Sequence, residues 1–180
     1  MAVKNLFEND ASDLILKSRT HADGPEGVLP LTPEALRNSP SGNIFGMTID
    51  AGMGWDPSTL ANGDVMMIST YGGLKKDDGT TVAVGLHPGH FELDGLLTEA
   101  ANTLKSMGYV PSAAYVTDPC DGRTQGTTGM FDSLPYRNDA AQVMRRLIRS
   151  LPTRKAVIGV ASCDKGLPAT MMALASMHDL

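Results

Sequence analysis

The sequence predicts an α/β fold, a mostly parallel sheet with flanking helices, preceded by an irregular N-terminal arm. Two observations carry that prediction. From Asp64 onward, short apolar runs alternate with segments of helical periodicity, the pattern of a layered α/β domain. Before that point glycine and proline are dense and no period holds, and five of the 11 prolines fall between Pro25 and Pro57. The expected division is therefore an arm over residues 1–60, packing on a body over residues 61–180.

The elements follow in order. In the arm, Thr32 precedes Pro33-Glu34-Ala35, a cap followed by proline at the first helical position, which predicts one short helix within HADGPEGVLPLTPEAL (His21 to Leu36). The SPSGNIFGMTIDAGMGW stretch (Ser39 to Trp55) is read as irregular. DVMMIST (Asp64 to Thr70) and TVAVGL (Thr81 to Leu86) read as strands, separated by Gly-Gly and Asp-Asp-Gly turns. From Phe91 to Met107, Leu93, Leu96, Leu97, Ala100, Leu104 and Met107 form one apolar stripe, and Gly108 ends the helix. SAAYVT (Ser112 to Thr117) is a third strand. Ala140, Val143, Met144, Leu147 and Leu151 mark a helix over Asn138 to Leu151. KAVIGVA (Lys155 to Ala161) is an apolar run of the kind buried on both faces of a sheet, and a last helix begins near Pro168.

Composition narrows the function classes. A chain of 180 residues, 42% hydrophobic and 19% charged, can bury a real core. A formal charge of -5 argues against nucleic-acid binding, and Arg145, Arg146 and Arg149 read as the solvated face of a helix. No run approaches the length needed to span a bilayer, and MAVKNLFENDASDLILKS lacks the apolar stretch of a secretory leader. A cytoplasmic location is expected, with no membrane partner. Two cysteines in that compartment seldom form a structural disulfide, so they need another explanation.

Both cysteines occur as Cys-Asp, and both follow a predicted strand: Cys120-Asp121 and Cys163-Asp164-Lys165. Ligands in parallel α/β sheets bind beyond the carboxyl ends of the strands. Thiolates suit iron–sulfur clusters or zinc, and carboxylates suit Mg²⁺ or Mn²⁺, so the two dipeptides point to two metal centres side by side. The helix following Cys163, with Lys165 nearby, is expected to lower that thiol's pKa. Two cysteines alone are too few for a complete cluster site. A zinc-binding module and a pair of buried thiols packed as small hydrophobes stay open as alternatives. A nucleotide-binding reading is disfavoured, because no G-x-G-x-x-G is present.

CDGRTQGTTGMFDSLPYRND (Cys120 to Asp139), paired with CDKGLPATMMAL (Cys163 to Leu174), resembles the two N-terminal signatures of the IlvD/Edd dehydratases. The earlier HADGPEGVLPLTPEAL and SGNIFGMTIDAGMGW stretches look like the YjhG/YagF branch, described as D-xylonate dehydratases. The resemblance implies a hydro-lyase that takes a 2,3-dihydroxy aldonate, a small-molecule sugar acid, to its 2-keto-3-deoxy acid. It implies an iron–sulfur cluster (2Fe-2S or 4Fe-4S) held by Cys120 and Cys163, and Mg²⁺ surrounded by Asp121, Asp164 and Lys165, the lysine being catalytic and carbamylated in some members. Homo-oligomers are expected. The dihydroxyacid branch carries a cysteine about thirty residues before the equivalent of Asp121, where this sequence reads HPGHFEL (His87 to Leu93), which favours a sugar-acid substrate. His87 and His90 come near the motifs in sequence, and each also reads as a helix-start histidine with a local hydrogen bond. Family members are several times longer, so a third cluster cysteine, the serine base and a C-terminal domain are expected outside this chain. The chain alone is then expected to be inactive, with apolar surface exposed for association; the alternatives are a truncated, non-catalytic remnant and a small metal-binding domain.

Overall fold

The computed structural model describes residues 26–178, and the chain divides into two compact units, residues 1–61 and 62–180. The MAVKNLFENDASDLILKS stretch and the first part of the His21–Leu36 motif lie outside the described residues.

The first unit holds two helices, α1 (Pro33–Asn38) and α2 (Ser41–Gly52). Thr32 caps α1 as its sequence predicts, its hydroxyl accepting the Ala35 N–H at 3.0 Å. α2 replaces the irregular stretch expected there. Gly42, Gly46 and Gly52 lower its helix propensity and hide it from a composition-based reading, yet its backbone ladder forms. Neither helix contains a buried residue, and Phe45 and Met53 are largely exposed.

The second unit is an α/β layer. Its strands are β1 (Asp64–Ser69), β2 (Leu74–Lys75), β3 (Thr81–Ala83), β4 (Val110–Tyr115) and β5 (Arg154–Val160). Its helices are α3 (Pro88–Ser106), α4 (Asp121–Thr124), α5 (Ser133–Arg149) and α6 (Gly166–Ala175). The main sheet is parallel, in the order β4-β1-β5. Period-two alternation along the fully buried β1 sends Val65 and Met67 to one face and Met66 and Ile68 to the other. The first pair packs with Leu93, Leu97 and Leu104 of α3. The second packs with Met144 and Ile148 of α5 and Ala173 of α6. Gly108, at φ 86°, ends the α3 region in the left-handed conformation that favours glycine. No helix among the described residues is long and apolar enough to cross a membrane.

Three expectations need correction. The 81–86 run contributes no strand to the main sheet: Thr81–Ala83 pairs antiparallel with Leu74–Lys75 as an exposed hairpin, because the Asp-Asp-Gly turn joins two neighbours too short to reach further. β5 is not buried on both faces, since the order leaves it at the sheet edge while β1 takes the centre. α5 begins at Ser133 rather than Asn138, because Pro135 falls in its first turn, where no amide is needed.

The parallel register fixes where function can sit. Ser69 aligns with Tyr115 on one side and Val160 on the other, so the chain leaves all three strands at the same edge. The chain passes from β1 through α3 to β4 on one side, then crosses back over β1 through α5 to β5 on the other, and in such sheets ligands bind beyond this carboxyl edge.

Candidate metal centre at the strand ends

Thr70, one residue past β1, ties that edge together. It is fully buried, and its hydroxyl accepts the Ser162 N–H at 3.2 Å. Its carbonyl lies 2.7 Å from His90 Nδ1. One residue thus links the ends of β1 and β5 with the first turn of α3.

Beyond β4 the chain runs through buried Asp118 to Cys120, which stands immediately before α4, and Asp121 opens that helix. Beyond β5, Cys163 adopts φ 72°, an uncommon conformation for a residue with a side chain and one that clusters at functional sites. Asp164, Lys165 and the N-terminus of α6 follow. Gly166 is required there: a Cβ would run into Asp118 Oδ2 and Thr70 Cγ2.

Two clusters result. In the first, buried Lys165 extends Nζ to Asp121 Oδ2 at 2.5 Å and to Asp164 Oδ2 at 2.7 Å. Ser133, at the start of α5, donates to the other Asp121 oxygen. The Lys165 hydrogen bond, aided by Ser133, holds the Asp121 carboxyl below the usual carboxylate range, and the two carboxylates raise the Lys165 ammonium. The second cluster is softer. Cys163 Sγ lies 3.3 Å from His90 Nε2, and nitrogen atoms of His87 and His90 lie with that sulfur within 4.8 Å of one another. Asp118 Oδ2 stands 3.8 Å from the same His90 nitrogen. Neither Asp118 oxygen completes a well-formed hydrogen bond, although the Gly166 amide lies close enough to draw its carboxyl down somewhat; burial first, then the nearby Asp164 charge, push that carboxyl up to about 7. Both cysteines are free and partly buried.

The structure therefore brings Asp121, Asp164 and Lys165 into direct contact, and it brings Cys163 to His90. Cys120 lies near enough that its charge acts on Cys163. One electrostatic expectation is overturned: the Cys163 thiol is raised, not lowered. Burial is the largest cause, followed by the negative groups of Asp118, Cys120 and Asp164. The charge of Lys165 does not relieve it, because two carboxylates already engage that ammonium.

Sequence reasoning missed Asp118, Thr70 and Ser133. Asp118 lies two residues before Cys120, in DPCDG, so a strand-end acid was there to be seen. Nothing in the sequence marks Thr70 or Ser133. His87 and His90 turn out to have different fates: His87 caps α3, accepting the Gly89 N–H at 2.9 Å, while His90 reaches the site.

Residues 80–180 match the sequence profile of the dihydroxy-acid/6-phosphogluconate dehydratase N-terminal family. Over all 180 residues the chain is 63% identical to D-xylonate dehydratase YjhG of Escherichia coli (strain K12). It is 59% identical over its whole length to D-xylonate dehydratase YagF of the same organism. A more distant similarity, 33% identity over 91 residues, covers 51% of the chain and 16% of a dihydroxy-acid dehydratase of Archaeoglobus fulgidus. The chain spans only 27% of the length of either xylonate dehydratase.

Proposed function

The chain belongs to the dihydroxy-acid/6-phosphogluconate dehydratase family, and on that premise we propose that it is the N-terminal portion of a sugar-acid hydro-lyase. The substrate is a 2,3-dihydroxy aldonate such as D-xylonate, and the product its 2-keto-3-deoxy acid. The observation that carries this reading is the pairing of a carboxylate cluster with a thiol–imidazole cluster at one strand edge, in a chain 63% identical to a D-xylonate dehydratase.

The residues fit both cofactors of the proposal. Asp121 and Asp164 already converge on a cation, the Lys165 ammonium, and hard oxygens of this kind bind Mg²⁺. Carbamylation of Lys165 would exchange that cation for another oxygen donor. Cys120 and Cys163 supply soft donors for an iron–sulfur cluster, with further ligands needed. When bound, the cluster and Mg²⁺ would supply Lewis acidity toward the hydroxyl and carboxylate oxygens of the substrate.

The chain's own part is to arrange charge. Loss of the C2 proton and the C3 hydroxyl gives an enol and water, and the enol tautomerises to the 2-keto acid. Ser133 fixes the Asp121 carboxylate so that one oxygen stays aimed at the cation position. Lys165, a buried residue, offsets one of the two carboxylate charges and so lessens the repulsion of an anionic substrate. Free thiols fit a cytoplasmic setting. Exposed Phe131, Leu134 and Met171 offer surface for association, as a homo-oligomer or with further parts of the enzyme. On this reading the segment alone is inactive.

The test is anaerobic purification, an absorbance spectrum, iron, sulfide and magnesium analysis, and assay of D-xylonate and D-gluconate for 2-keto-3-deoxy product. A brown, magnesium-containing protein supports the cofactor assignment, and turnover by a longer form that includes this segment supports the substrate. A colourless protein that loads neither iron nor magnesium in any form would leave a non-catalytic domain as the better description.

A further inference from the structure

The two histidines beside Cys163 differ in which nitrogen offers a lone pair. His87 accepts the Gly89 N–H through Nδ1, so in its neutral ring the proton sits on Nε2 and neither nitrogen is free to ligate. His90 is the reverse case. Its Nδ1 faces the Thr70 carbonyl at 2.7 Å, and a carbonyl only accepts, so Nδ1 carries the proton and Nε2 presents its lone pair. That lone pair points to Cys163 Sγ, 3.3 Å away.

Three features mark this as more than a local hydrogen bond. A backbone carbonyl on the far ring nitrogen is the usual device for orienting a metal-binding histidine. A thiolate and an imidazole on one tetrahedral ion stand roughly 3.5 Å apart, from bond lengths of about 2.3 and 2.0–2.1 Å; the pair is already near that separation. And Asp118, 1% exposed, turns a carboxyl without hydrogen-bond partners toward the same nitrogen at 3.8 Å. Three lone-pair-bearing groups meet at a buried point whose natural complement is a cation.

We propose that His90 Nε2 is a protein ligand of the metal centre at Cys163, giving it a nitrogen donor beside its thiolates, and that His87 is not. The ion is of the borderline-to-soft class, an iron of the cluster or zinc. Binding displaces the Cys163 S–H proton to solvent; the Nε2 lone pair that accepted it goes to the metal. The inference rests on the reading of Cys163 as a metal ligand, and not on the identity of the sugar acid.

Cobalt(II) is the probe, added to the reduced, metal-free full chain at neutral pH. The wild type is expected to show visible ligand-field bands of a four-coordinate ion and a near-ultraviolet thiolate-to-cobalt band. H90A should weaken cobalt binding at least about 100-fold, beyond the loss typical of outer-shell changes. C163S should remove the thiolate band. H87N, which keeps a side-chain cap for α3, should leave both signals unchanged. Should H90A fail to fold, pulsed electron paramagnetic resonance of the cobalt-loaded wild type decides, a strongly coupled histidine nitrogen being expected. No cobalt binding by the wild type, wild-type affinity in folded H90A, or absence of nitrogen coupling each overturns the proposal. Xylonate turnover is scored separately, so a chain that binds cobalt through His90 but belongs to an enzyme of another substrate would refute only the functional reading.

Discussion

Met67 and Ile68, midway along β1, are 2% and 0% exposed and sit in the two hydrophobic clusters of the sheet, whereas Ser69 and Thr70, the next two residues, are just as buried but polar. One strand thus crosses from a dry core into a hydrogen-bonded edge within a single residue. Along the core stretch, burial of apolar area stabilises the fold directly. At the edge, each buried polar group costs free energy unless it finds a partner, and Asp118 has not found one. The difference separates what holds this domain together from what it is built to bind. Substitutions in the core should cost stability and leave ligand binding per folded molecule alone. Substitutions at the edge should change ligand binding, and should relieve rather than add to the cost of folding where they remove an unpartnered polar group.

The strongest test of the first half is Ile148→Ala. Ile148 is fully buried against Met66, Ile68 and Met144, and its truncation leaves a cavity between α5 and the sheet. A loss of about 2–5 kcal/mol is expected, read from the urea midpoint, with cobalt affinity of the folded fraction unchanged. A fall in affinity of tenfold or more with an intact fold would break the comparison, by showing that α5 positions the edge through the core.

Asp118 probes the second half. In the folded, metal-free chain its pKa stands at about 7 against an ordinary 3.8, so the folded state keeps a proton that the unfolded state gives up earlier. As pH rises from about 4 to about 7 the unfolded chain gains relative stability, and the penalty persists above that range, with a ceiling of about 4 kcal/mol. The wild-type urea midpoint should fall across that interval, and Asp118→Asn should remove the slope. A flat wild-type profile would show that Asp118 is solvated or paired after all.

How far the sequence reached follows the same boundary. Leu93, Leu97 and Leu104, or Ala140 and Met144, announce their helix faces by spacing alone, because periodic burial is what a core requires, whereas the sequence reading does not pick out Ile148, and Val143, which it does, is exposed. The two Cys-Asp pairs were legible because residue types with unusual metal chemistry followed predicted strands. The contacts that shape the edge were not. Thr70 reaches Ser162 across 92 positions, and Ser133 meets Asp121 from the next helix; such pairings depend on the register of β1 with β4 and β5, which no local pattern encodes. The sign of the Cys163 shift was misread for the same reason. The helix N-terminus and Lys165 were visible in sequence, but burial of the thiol, the largest cause, and the approach of Asp118 and Cys120 from another strand end exist only in the folded chain.

Asp164 offers the smallest effect on stability and the sharpest use of the comparison. Its side chain is 73% exposed, although it holds Lys165 Nζ at 2.7 Å. An ion pair so open to water is screened, and Lys165 keeps Asp121 at 2.5 Å when Asp164 is lost. Asp164→Asn should therefore shift stability by less than about 1 kcal/mol. If Asp164 is a Mg²⁺ ligand, the same change removes one of two hard anionic donors, and magnesium affinity by calorimetry should fall by about tenfold or more. A residue whose removal the fold hardly registers, but the ion does, is placed for binding rather than for structure. Unchanged magnesium binding in Asp164→Asn would return this carboxylate to the ordinary solvated surface and leave Asp121 and Lys165 as the hard centre of the edge.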